Sequence, residues 1–212
     1  MARGLFITLE GGEGSGKSTQ SKRLQARLEA EGQSVIITRE PGGSPGAEAI
    51  RSLLVTGAAD RWDGMTEAFL LFAARRDHVE RIIKPALDRG TTVICDRFTD
   101  STMAYQGYGH GVDHESLKAL GSVVLGEFKP DLTLIFDLDL KTGLGRAQAR
   151  GEGEDRYERM GRDFHERLRQ GFLDIAAIEV ERCCVIDASG SIKQVAATIR
   201  ELVSERFQVK LL

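Results

Sequence analysis

The most informative segment of the chain reads Gly11-Gly12-Glu13-Gly14-Ser15-Gly16-Lys17-Ser18, with Thr19 directly after it. It matches the pattern G-x-x-x-x-G-K-S/T in full. The apolar run Leu5–Leu9 predicts a buried strand before it, and the amphipathic run Thr19–Ala30 predicts a helix after it. A strand, a glycine-rich loop and a helix N-terminus direct several unpaired backbone N–H groups at one point, where they bind an anion. The segment therefore predicts a phosphate-binding loop for a nucleoside triphosphate.

Two side chains of this loop have predicted roles. Lys17 would bring positive charge to the β- and γ-phosphates of ATP, and the Ser18 hydroxyl would be a ligand of Mg²⁺. The glycines let the backbone approach the phosphate oxygens closely. ATP and Mg²⁺ are therefore the predicted co-substrate and cofactor.

Composition excludes several classes of function. The chain has 212 residues, with 29 Lys and Arg against 32 Asp and Glu, for a formal net charge of −3. This balance argues against nucleic acid as the main partner. No apolar stretch approaches the roughly 18 residues of a membrane span, and no signal peptide precedes the first strand. Cys95, Cys183 and Cys184 are odd in number, as expected of reduced thiols, so we expect a cytoplasmic protein.

The histidines show no metal-ligand spacing. His78, His110, His114 and His165 are scattered along the chain, without a second cysteine or histidine cluster. Each is therefore predicted to be a surface or loop residue and not a ligand or a catalytic base.

Five short runs rich in apolar and β-branched residues alternate with helix-length segments. The runs are Leu5–Leu9, Val35–Thr38, Thr92–Asp96, Leu132–Asp137 and Cys183–Asp187. This alternation predicts an α/β fold, a doubly wound five-stranded parallel sheet with helices on both faces, in a single domain spanning residues 1–212.

The segments between the strands carry more specific predictions. Further helices are predicted over Pro45–Leu54, Met65–Asp88 and Glu115–Leu125, and Gly107–Gly111 is predicted to be a flexible loop. The charged segment at about 141–163 contains Gly151 and Gly153, which suits a lid that opens and closes.

Two larger classes of nucleotide-binding protein do not fit. A GTPase needs a guanine-reading Asn-Lys-x-Asp, and the chain contains no asparagine. Asp187-Ala-Ser-Gly190 follows the last strand, so it is interpreted as a strand-to-loop turn. A motor ATPase is hard to accommodate in this length. The remaining class is a small phosphotransferase, in which a second substrate faces the γ-phosphate of ATP.

Candidate residues for that second substrate occur in a fixed order. They comprise Thr38-Arg-Glu-Pro-Gly-Gly43, Arg51, Leu71-Phe-Ala-Ala-Arg75, Asp96-Arg97, Ser101-Thr102 and Ala104-Tyr-Gln-Gly107. With the phosphate-binding loop, these motifs closely resemble the bacterial thymidylate kinase family from about Phe6 to at least Asp187. The resemblance implies transfer of the γ-phosphoryl group of ATP to dTMP, giving dTDP and ADP. It also implies a homodimer.

The resemblance implies a role for each of these residues. Arg51 and Arg97 would hold the dTMP phosphate, with Ser101 in the same motif, because arginine binds phosphate oxygens bidentately. Glu13 would contact the sugar 3′-hydroxyl, and Thr102 the ring-nitrogen edge of thymine. Tyr105 and Gln106 would close the sugar side, with Tyr105 disfavouring a 2′-hydroxyl.

The base contact on the long helix has two possible assignments. The Phe72 region would give an aromatic face for the pyrimidine, and Arg75 would donate to a thymine carbonyl. Relatives often space these residues four apart, which would fit Phe72 with Arg76. Spacing back from Arg97 favours Arg75 and puts Leu71 on the stacking turn.

The remaining roles concern the metal and the transferred group. Asp96, and with it Glu40, would act on Mg²⁺ through metal-bound waters. In one branch of the family an arginine follows the acidic residue of the phosphate-binding loop, at the position where this chain has Gly14. In the other branch the lid carries that arginine, and Arg146-Ala-Gln-Ala-Arg150 resembles the second arrangement. By this resemblance Arg150 would be catalytic with Lys17 and Arg97. Arg146 would pack against adenine, and Arg156 would assist in the closed lid.

Three hypotheses of function follow from the sequence. The first is an ATP:dTMP phosphotransferase. The second is a kinase of the same fold for another nucleoside monophosphate or a deoxynucleoside. The third is a catalytically silent nucleotide-binding switch, which would be expected to have lost Lys17, Arg97 or the lid arginines.

Overall fold

The computed structural model describes residues 3–149 and 156–208. Five parallel strands form the sheet, in the order β2-β3-β1-β4-β5. Their bounds are β1 Phe6–Gly11, β2 Val35–Arg39, β3 Thr92–Asp96, β4 Leu132–Asp137 and β5 Cys183–Asp187. The predicted fold class is confirmed. β1 continues to Gly11, two residues beyond the apolar run, because the buried Glu10 extends the strand.

Helices connect the strands and cover the sheet. They are α1 Lys17–Ala30, α2 Pro45–Val55, α3 Gly64–His78, α4 Lys84–Asp88, α5 Thr99–Thr102, α6 His114–Leu125, α7 Leu140–Gln148, α8 Arg162–Ile178 and α9 Ile192–Phe207. Local capping fixes several N-termini. The Ser44 and Asp63 side chains accept hydrogen bonds from the first-turn amides of α2 and α3, and Ser191 with Gln194 forms a capping box on α9.

Two predictions of local structure, one of a helix and one of a flexible loop, need correction. The segment Met65–Asp88 is helical, but its middle, Val79–Ile83, is π-helical between α3 and α4. The prediction of a flexible loop at Gly107–Gly111 is wrong, because Met103–Gly109 is a buried π-helical segment. A Cβ at Gly109 would lie 2.5 Å from the Phe164 ring, and one at Gly107 would lie 2.9 Å from the His114 ring. These glycines therefore allow close packing and do not confer mobility.

The largest core cluster lies between the sheet and the helices α1 and α9. It contains Ile7 and Leu9 of β1, Leu24 and Leu28 of α1, and Val195, Ile199 and Val203 of α9, among others. Further clusters pack α8 and the π-helical segment against one another and α4 against β1 and β3. Both faces of the sheet are thus covered. Among the residues described, no helix has the length and hydropathy to cross a membrane.

The strand register brings the predicted site motifs to one edge of the sheet. Leu9 of β1 lies opposite Asp96 of β3, and Arg39 of β2 is also opposite Asp96. Because all strands are parallel, their carboxyl ends share this edge, where open α/β sheets bind ligands. The phosphate-binding loop, the Arg39–Glu40 turn and the Asp96–Arg97 turn therefore meet there.

Candidate active site

The phosphate-binding loop connects β1 to α1, as predicted. Gly14 and Gly16 have φ values of +67° and +93°, which glycine adopts without strain. A Cβ at Gly14 would lie 2.0 Å from the carbonyl oxygen of Gly143 in α7. The close approach of α7 therefore explains why this position carries no side chain and cannot provide an arginine.

Lys17 is buried inside its own loop. Its Nζ donates to the carbonyl oxygens of Gly11 and Gly12 at 3.0 and 2.8 Å, and to Ser15 Oγ at 3.2 Å. Burial, followed by the positive charge of Arg97, lowers the pKa of Lys17 to about 8. The ammonium group is thus held by neutral oxygens, and an anion in the loop would provide a stronger partner.

A cavity of about 260 Å³ opens from the loop across the carboxyl edge of the sheet. Its lining includes most of the predicted site residues, namely Glu13, Gly14, Ser15, Gly16, Lys17, Ser18, Thr19, Glu40, Arg51, Arg75, Asp96, Arg97, Ser101, Thr102, Tyr105 and Gln106. Residues from the phosphate-binding loop, β2, α2, α3 and the segment after β3 are therefore brought to one space. Arg39, Pro41, Val55, Leu71, Phe98, Tyr157 and Glu158 complete the lining.

Arg75 is fixed at one end of this cavity by a buried network. Its Nε donates to Glu40 Oε2 at 2.6 Å, and its Nη2 donates to Thr102 Oγ1 and to the Phe98 carbonyl, both at 3.0 Å. The other oxygen of Glu40 lies 3.1 Å from His78 Nδ1. The Nη1 atom of Arg75 is buried and has no hydrogen-bond partner among the residues described.

Arg75 and Arg76, the two candidates for the thymine contact, lie in different surroundings. Arg75 lines the cavity, whereas Arg76 is exposed, pairs with Glu80 and donates to the Val124 carbonyl. The prediction for Phe72 needs correction, because Phe72 is outside the cavity lining and packs with Ala68 and Leu117. Its ring supports the Arg75 guanidinium from behind, with Arg75 Cζ 5.0 Å from the ring centroid. Leu71 stands on the cavity wall in its place.

Arg97 lies at the other end of the cavity, beside the phosphate-binding loop. Its Nη1 donates to the Gly11 carbonyl at 2.9 Å and to Ser101 Oγ at 3.2 Å, and its Nη2 pairs with Glu13 Oε1 at 2.7 Å. Tyr105 also donates its hydroxyl to Glu13 Oε1 at 2.7 Å. Arg97 and Tyr105 therefore share one oxygen of Glu13, and the Arg97 guanidinium lies over the Tyr105 ring, with Cζ 5.0 Å from its centroid.

Arg51 and Gln106 are also held in place. Arg51 Nη1 donates to the Pro41 carbonyl at 2.7 Å. Gln106 is buried, its amide nitrogen donates to Glu67 Oε2 at 2.7 Å, and its Oε1 atom has no hydrogen-bond partner among the residues described.

The residues predicted for Mg²⁺ are adjacent. Ser18 Oγ donates to Asp96 Oδ2 at 2.9 Å. Within residues 3–149 and 156–208 no group of three or more His, Cys, Asp or Glu side chains is placed to hold a metal ion. A hydroxyl and a single carboxylate suit Mg²⁺, which keeps several waters and binds substrate phosphates as its other ligands. Glu40, by contrast, is already engaged by Arg75 and His78.

A second cavity, of about 410 Å³, lies on the outer side of the phosphate-binding loop. Arg146 of α7 lines it, together with Gly14, Thr19 and Gln20 and with the residues Ala188, Gly190, Ser191, Ile192 and Val195 after β5. Asp187 ends β5 and accepts a hydrogen bond from the Ser189 amide at 2.9 Å, as expected of a strand-to-loop turn. Arg146 thus lies beside the phosphate-binding loop, and its packing against adenine stays a prediction.

The structure revises the part predicted for Arg156. Its side chain is fully buried, pairs with Glu67 Oε1 at 2.5 Å and donates to the carbonyls of Leu54, Ala58 and Ala59. Arg156 therefore ties the chain after the lid to the turn between α2 and α3, and it does not line either cavity. Arg150, Gly151 and Gly153 lie outside the described residues.

Two predictions about histidine are wrong. His78 is buried on α3 between Thr38 and Glu40, with Nε2 2.7 Å from Thr38 Oγ1. His165 is buried on α8, where desolvation lowers its pKa. Scattered spacing along the chain could not indicate that helix packing would bury these rings.

Glu10 is the site residue that the sequence analysis missed. It is fully buried, accepts hydrogen bonds from the Phe98 amide and the Ser101 hydroxyl, and burial followed by the charge of Asp100 raises its pKa to about 7. An acidic residue directly after an apolar strand run was the available signal.

Comparison with known proteins agrees with this site. The family model for thymidylate kinase matches residues 9–199. The chain belongs to the thymidylate kinase family. It is 58% identical over 206 residues to thymidylate kinase from Caulobacter vibrioides, covering 97% of this chain and 99% of that protein. Its identity to thymidylate kinase from Pseudomonas syringae pv. tomato is 48% over 207 residues, covering 98% of each.

A solved member of the thymidylate kinase family has the same fold. The crystal structure of thymidylate kinase from Ehrlichia chaffeensis superposes with a TM-score of 0.78 at 36% identity, over 95% of this chain and 99% of that one. The resemblance inferred from the motifs is therefore confirmed over nearly the whole chain.

Proposed function

We propose that this protein transfers the γ-phosphoryl group of ATP to dTMP, with dTMP in the cavity between Arg97 and Arg75. The observation that carries the choice of base is a pair of unsatisfied buried atoms on residues of the cavity wall: the donor Arg75 Nη1 and the acceptor Gln106 Oε1. Thymine presents a carbonyl acceptor and a ring N–H donor, which match this pair. Cytosine presents an amino donor and a ring-nitrogen acceptor in the corresponding positions, which would leave both protein atoms unpaired at a large cost.

The opposite end of the cavity suits the phosphate of dTMP. Arg51 and Arg97 both line it, and each has a fixed guanidinium group. Two arginines give bidentate contacts to phosphate oxygens. Glu13, held by Arg97 and Tyr105, would accept from the sugar 3′-hydroxyl, and the buried Tyr105 ring would exclude a 2′-hydroxyl. Ser101, which accepts from Arg97, would complete the wall of this subsite, whereas Thr102, which accepts from Arg75, would lie at the base end.

ATP would bind across the phosphate-binding loop, with adenine in the second cavity. The loop amides and Lys17 would hold the β- and γ-phosphates, and Arg146 would pack on the base. The two cavities share Gly14, Ser15, Gly16 and Thr19, so the loop separates the two substrates. In this arrangement the γ-phosphate would face the acceptor, as in-line transfer requires.

Mg²⁺ would be held by Ser18, with Asp96 acting through bound water. When bound, the ion would neutralise developing charge on the phosphate oxygens. The residues of the chain would bind the two anionic substrates, hold them in line and shield the site from water. The dTMP phosphate is already anionic near neutral pH, so no strong general base is needed. Arg150 of the lid would stabilise the transferring phosphoryl group, because Gly14 cannot.

A coupled ADP-release assay across the common nucleoside monophosphates and thymidine tests this function. We expect dTMP to give the highest kcat/KM, with dCMP and the ribonucleotides far below it. A preference for AMP, GMP, UMP or thymidine would contradict the assignment and favour another phosphoryl acceptor. Absence of turnover with every acceptor would favour a silent nucleotide-binding protein.

We further propose a homodimer that uses the surface of α3 and α6. Phe69 on α3 is 55% exposed and Val123 on α6 is 85% exposed, although both are large apolar residues. The two helices pack together, so these side chains can form one patch. Light scattering should give a dimer for the wild type and a monomer for Phe69→Asp. The control Ile178→Asp, at an exposed apolar residue of α8, should stay dimeric; a monomeric wild type would contradict the proposal.

We also propose that the protein works in the cytoplasm. The three cysteines are free, and Cys95 and Cys183 are buried. Free buried thiols suit a reducing compartment. Cell fractionation with a periplasmic marker would test this, and co-fractionation with that marker would contradict it.

A further inference from the structure

Glu10 is a buried carboxylate to which the proposed phosphoryl transfer gives no part. It lies near the end of β1, where it is 0% exposed. Its Oε1 accepts a hydrogen bond from the Phe98 amide at 2.7 Å, and its Oε2 accepts one from the Ser101 hydroxyl at 2.5 Å. Phe98 directly follows Arg97, and Ser101 lies in the short helix α5 that comes next, so Glu10 holds the chain immediately after the arginine proposed to bind phosphate.

Arg97 needs such support because its backbone is unusual. It has a φ of 72°, in the left-handed region that non-glycine residues seldom occupy. Its own amide donates to the Leu9 carbonyl at 2.9 Å, and the next amide, that of Phe98, donates to Glu10. Two consecutive amides of the turn are thus tied to two consecutive residues of β1. Glu10 provides the side-chain half of this restraint.

The direction of the hydrogen bonds extends the effect to the Arg97 guanidinium. Ser101 has a single hydroxyl hydrogen, which it gives to Glu10, so its lone pairs remain for Arg97 Nη1 at 3.2 Å. Arginine can only donate. If residue 10 carried an amide, its oxygen would have to face the Phe98 N–H and its NH2 would have to face Ser101. That NH2 would compete with Arg97 for the serine oxygen, and the serine hydrogen would lose its acceptor.

The charge on Glu10 is costly, and its neighbours show why it is retained. Burial and the Asp100 carboxylate oppose ionisation, whereas the bond from Ser101 and the charge of Arg97 favour it. Asp100 is itself paired with Arg182 through two contacts of 2.7 Å. The groups that favour the ionised carboxylate, Ser101 and Arg97, are therefore those of the proposed phosphate subsite. A neutral amide at residue 10 would avoid the free-energy cost of the buried charge, but it would reverse the direction of the hydrogen bond with Ser101.

We propose that Glu10 is a positioning residue for the phosphate of the acceptor nucleotide: through Ser101 and the Phe98 amide it holds Arg97 directed into the cavity. The inference rests on the proposed function, since it assumes that Arg97 binds this phosphate. It assigns Glu10 no contact with substrate. Its loss should therefore weaken recognition of the phosphate and leave recognition of the base and sugar intact.

The variant Glu10→Gln tests this with two ligands that differ only in the phosphate. Calorimetric titration of the full chain with dTMP and with thymidine gives both dissociation constants. We expect Glu10→Gln to weaken dTMP binding by about tenfold or more, the scale of one charge-assisted hydrogen bond, with thymidine binding unchanged. Equal weakening of both ligands would mean a merely structural role and would overturn the proposal, as would unchanged dTMP binding.

Glu67→Gln is the matched control. Glu67 is equally buried, but its partners Gln106, Tyr157 and Arg156 are not in the Arg97 turn. We expect this variant to keep the wild-type ratio of dTMP to thymidine affinity. A ratio that falls as far as in Glu10→Gln would show that any buried charge produces the effect, and the proposal would fail.

Ser101→Ala keeps the inference testable if Glu10→Gln folds poorly, and a double-mutant cycle of the two substitutions tests the relay through Ser101 when both variants fold. Ser101→Ala alone should lower the dTMP affinity and spare thymidine. Adding Glu10→Gln should cost much less than in the wild-type background, because part of its effect passes through Ser101. Full additivity would contradict the relay. The activity of the wild type distinguishes this inference from the proposed function. If the wild type phosphorylates dTMP and Glu10→Gln does so equally well, the inference about Glu10 fails and the proposed function stands.

Discussion

The two halves of the site are built differently. On the acceptor side, buried side chains fix one another: Glu40 holds Arg75, and Glu13 holds Arg97 and Tyr105. On the donor side, Arg146 is exposed and the cavity is lined by loop glycines and by the turn after β5. The acceptor side is thus preorganised by the fold, whereas the donor side is proposed to depend on backbone amides and on the lid. Specificity should therefore depend on the first half, and rate on the phosphate loop and lid.

The largest effect should come from the residue between the two halves. Lys17→Ala removes the charge that lies beside the phosphates, so we expect kcat to fall by about 10³, the upper range for a preorganised transition-state contact. The fold should persist, because Lys17 Nζ contacts only its own loop. Steady-state kinetics and circular dichroism would check both points. Activity above about a tenth of wild type, worth only about 1.4 kcal/mol, would contradict the assigned role.

The lid arginine should have the next largest effect. Arg150→Ala should lower kcat by about 10² or more with a modest change in KM for ATP, because its contact would form mainly during transfer. Arg162→Ala is the control, since Arg162 is exposed and pairs with Glu166 one turn along α8. Equal, small effects of both substitutions would mean that the charged segment is only a solvated face. The partner of the γ-phosphate would then have to be sought at Arg146.

A direct comparison of the two halves uses one arginine from each. Arg75→Lys should raise KM for dTMP about tenfold, because lysine cannot replace a guanidinium that bonds Glu40, Thr102 and Phe98 and is proposed to bond the base as well. Arg146→Ala should raise KM for ATP only severalfold, since an exposed stacking contact is worth about 1 kcal/mol. Both constants come from one set of initial-rate measurements. If Arg146→Ala had the larger effect, the donor side would be the more strongly preorganised half.

Most of the fold followed from local pattern. The strands β3, β4 and β5 begin and end where the apolar runs do, because each run pairs in a parallel sheet and stops at an aspartate. The sheet order and the register did not follow, since they depend on long-range pairing. The glycines of Met103–Gly109 misled the analysis because glycine permits both a flexible loop and close packing against Phe164 and His114. The single domain over 1–212 stays a prediction.

The site was predictable where a sequence motif fixes the backbone, and less so where tertiary packing determines which groups a side chain contacts. Lys17, Ser18 and Asp96 come together because the loop and two strand ends fix them. Phe72 and Leu71 are adjacent on α3, and only the packing of α3 on α6 determines that Phe72 turns toward Leu117. The burial of Glu10 and His78 likewise depends on contacts between elements distant in sequence.

A prediction about stability, with no change in catalysis needed to detect it, isolates the charge on Glu10 by its pH dependence. The folded-state pKa of about 7 is above the ordinary value of 4.5, so the fold favours the neutral acid. Below about pH 4.5 the group is neutral in both states and costs nothing; as pH rises through 7 the full cost of the buried charge develops, on the order of 3 kcal/mol.

Glu10→Gln lacks this cost, and its altered hydrogen bonds to Phe98 and Ser101 do not titrate in this range. We therefore expect the Tm of Glu10→Gln minus that of the wild type to increase between about pH 5 and pH 8, by roughly 2–4 °C for each kcal/mol. Differential scanning calorimetry in buffers of matched ionic strength would measure it. A difference that stays constant with pH would mean that the fold does not oppose the charge, and that the acceptor side carries its carboxylate without a loss of stability.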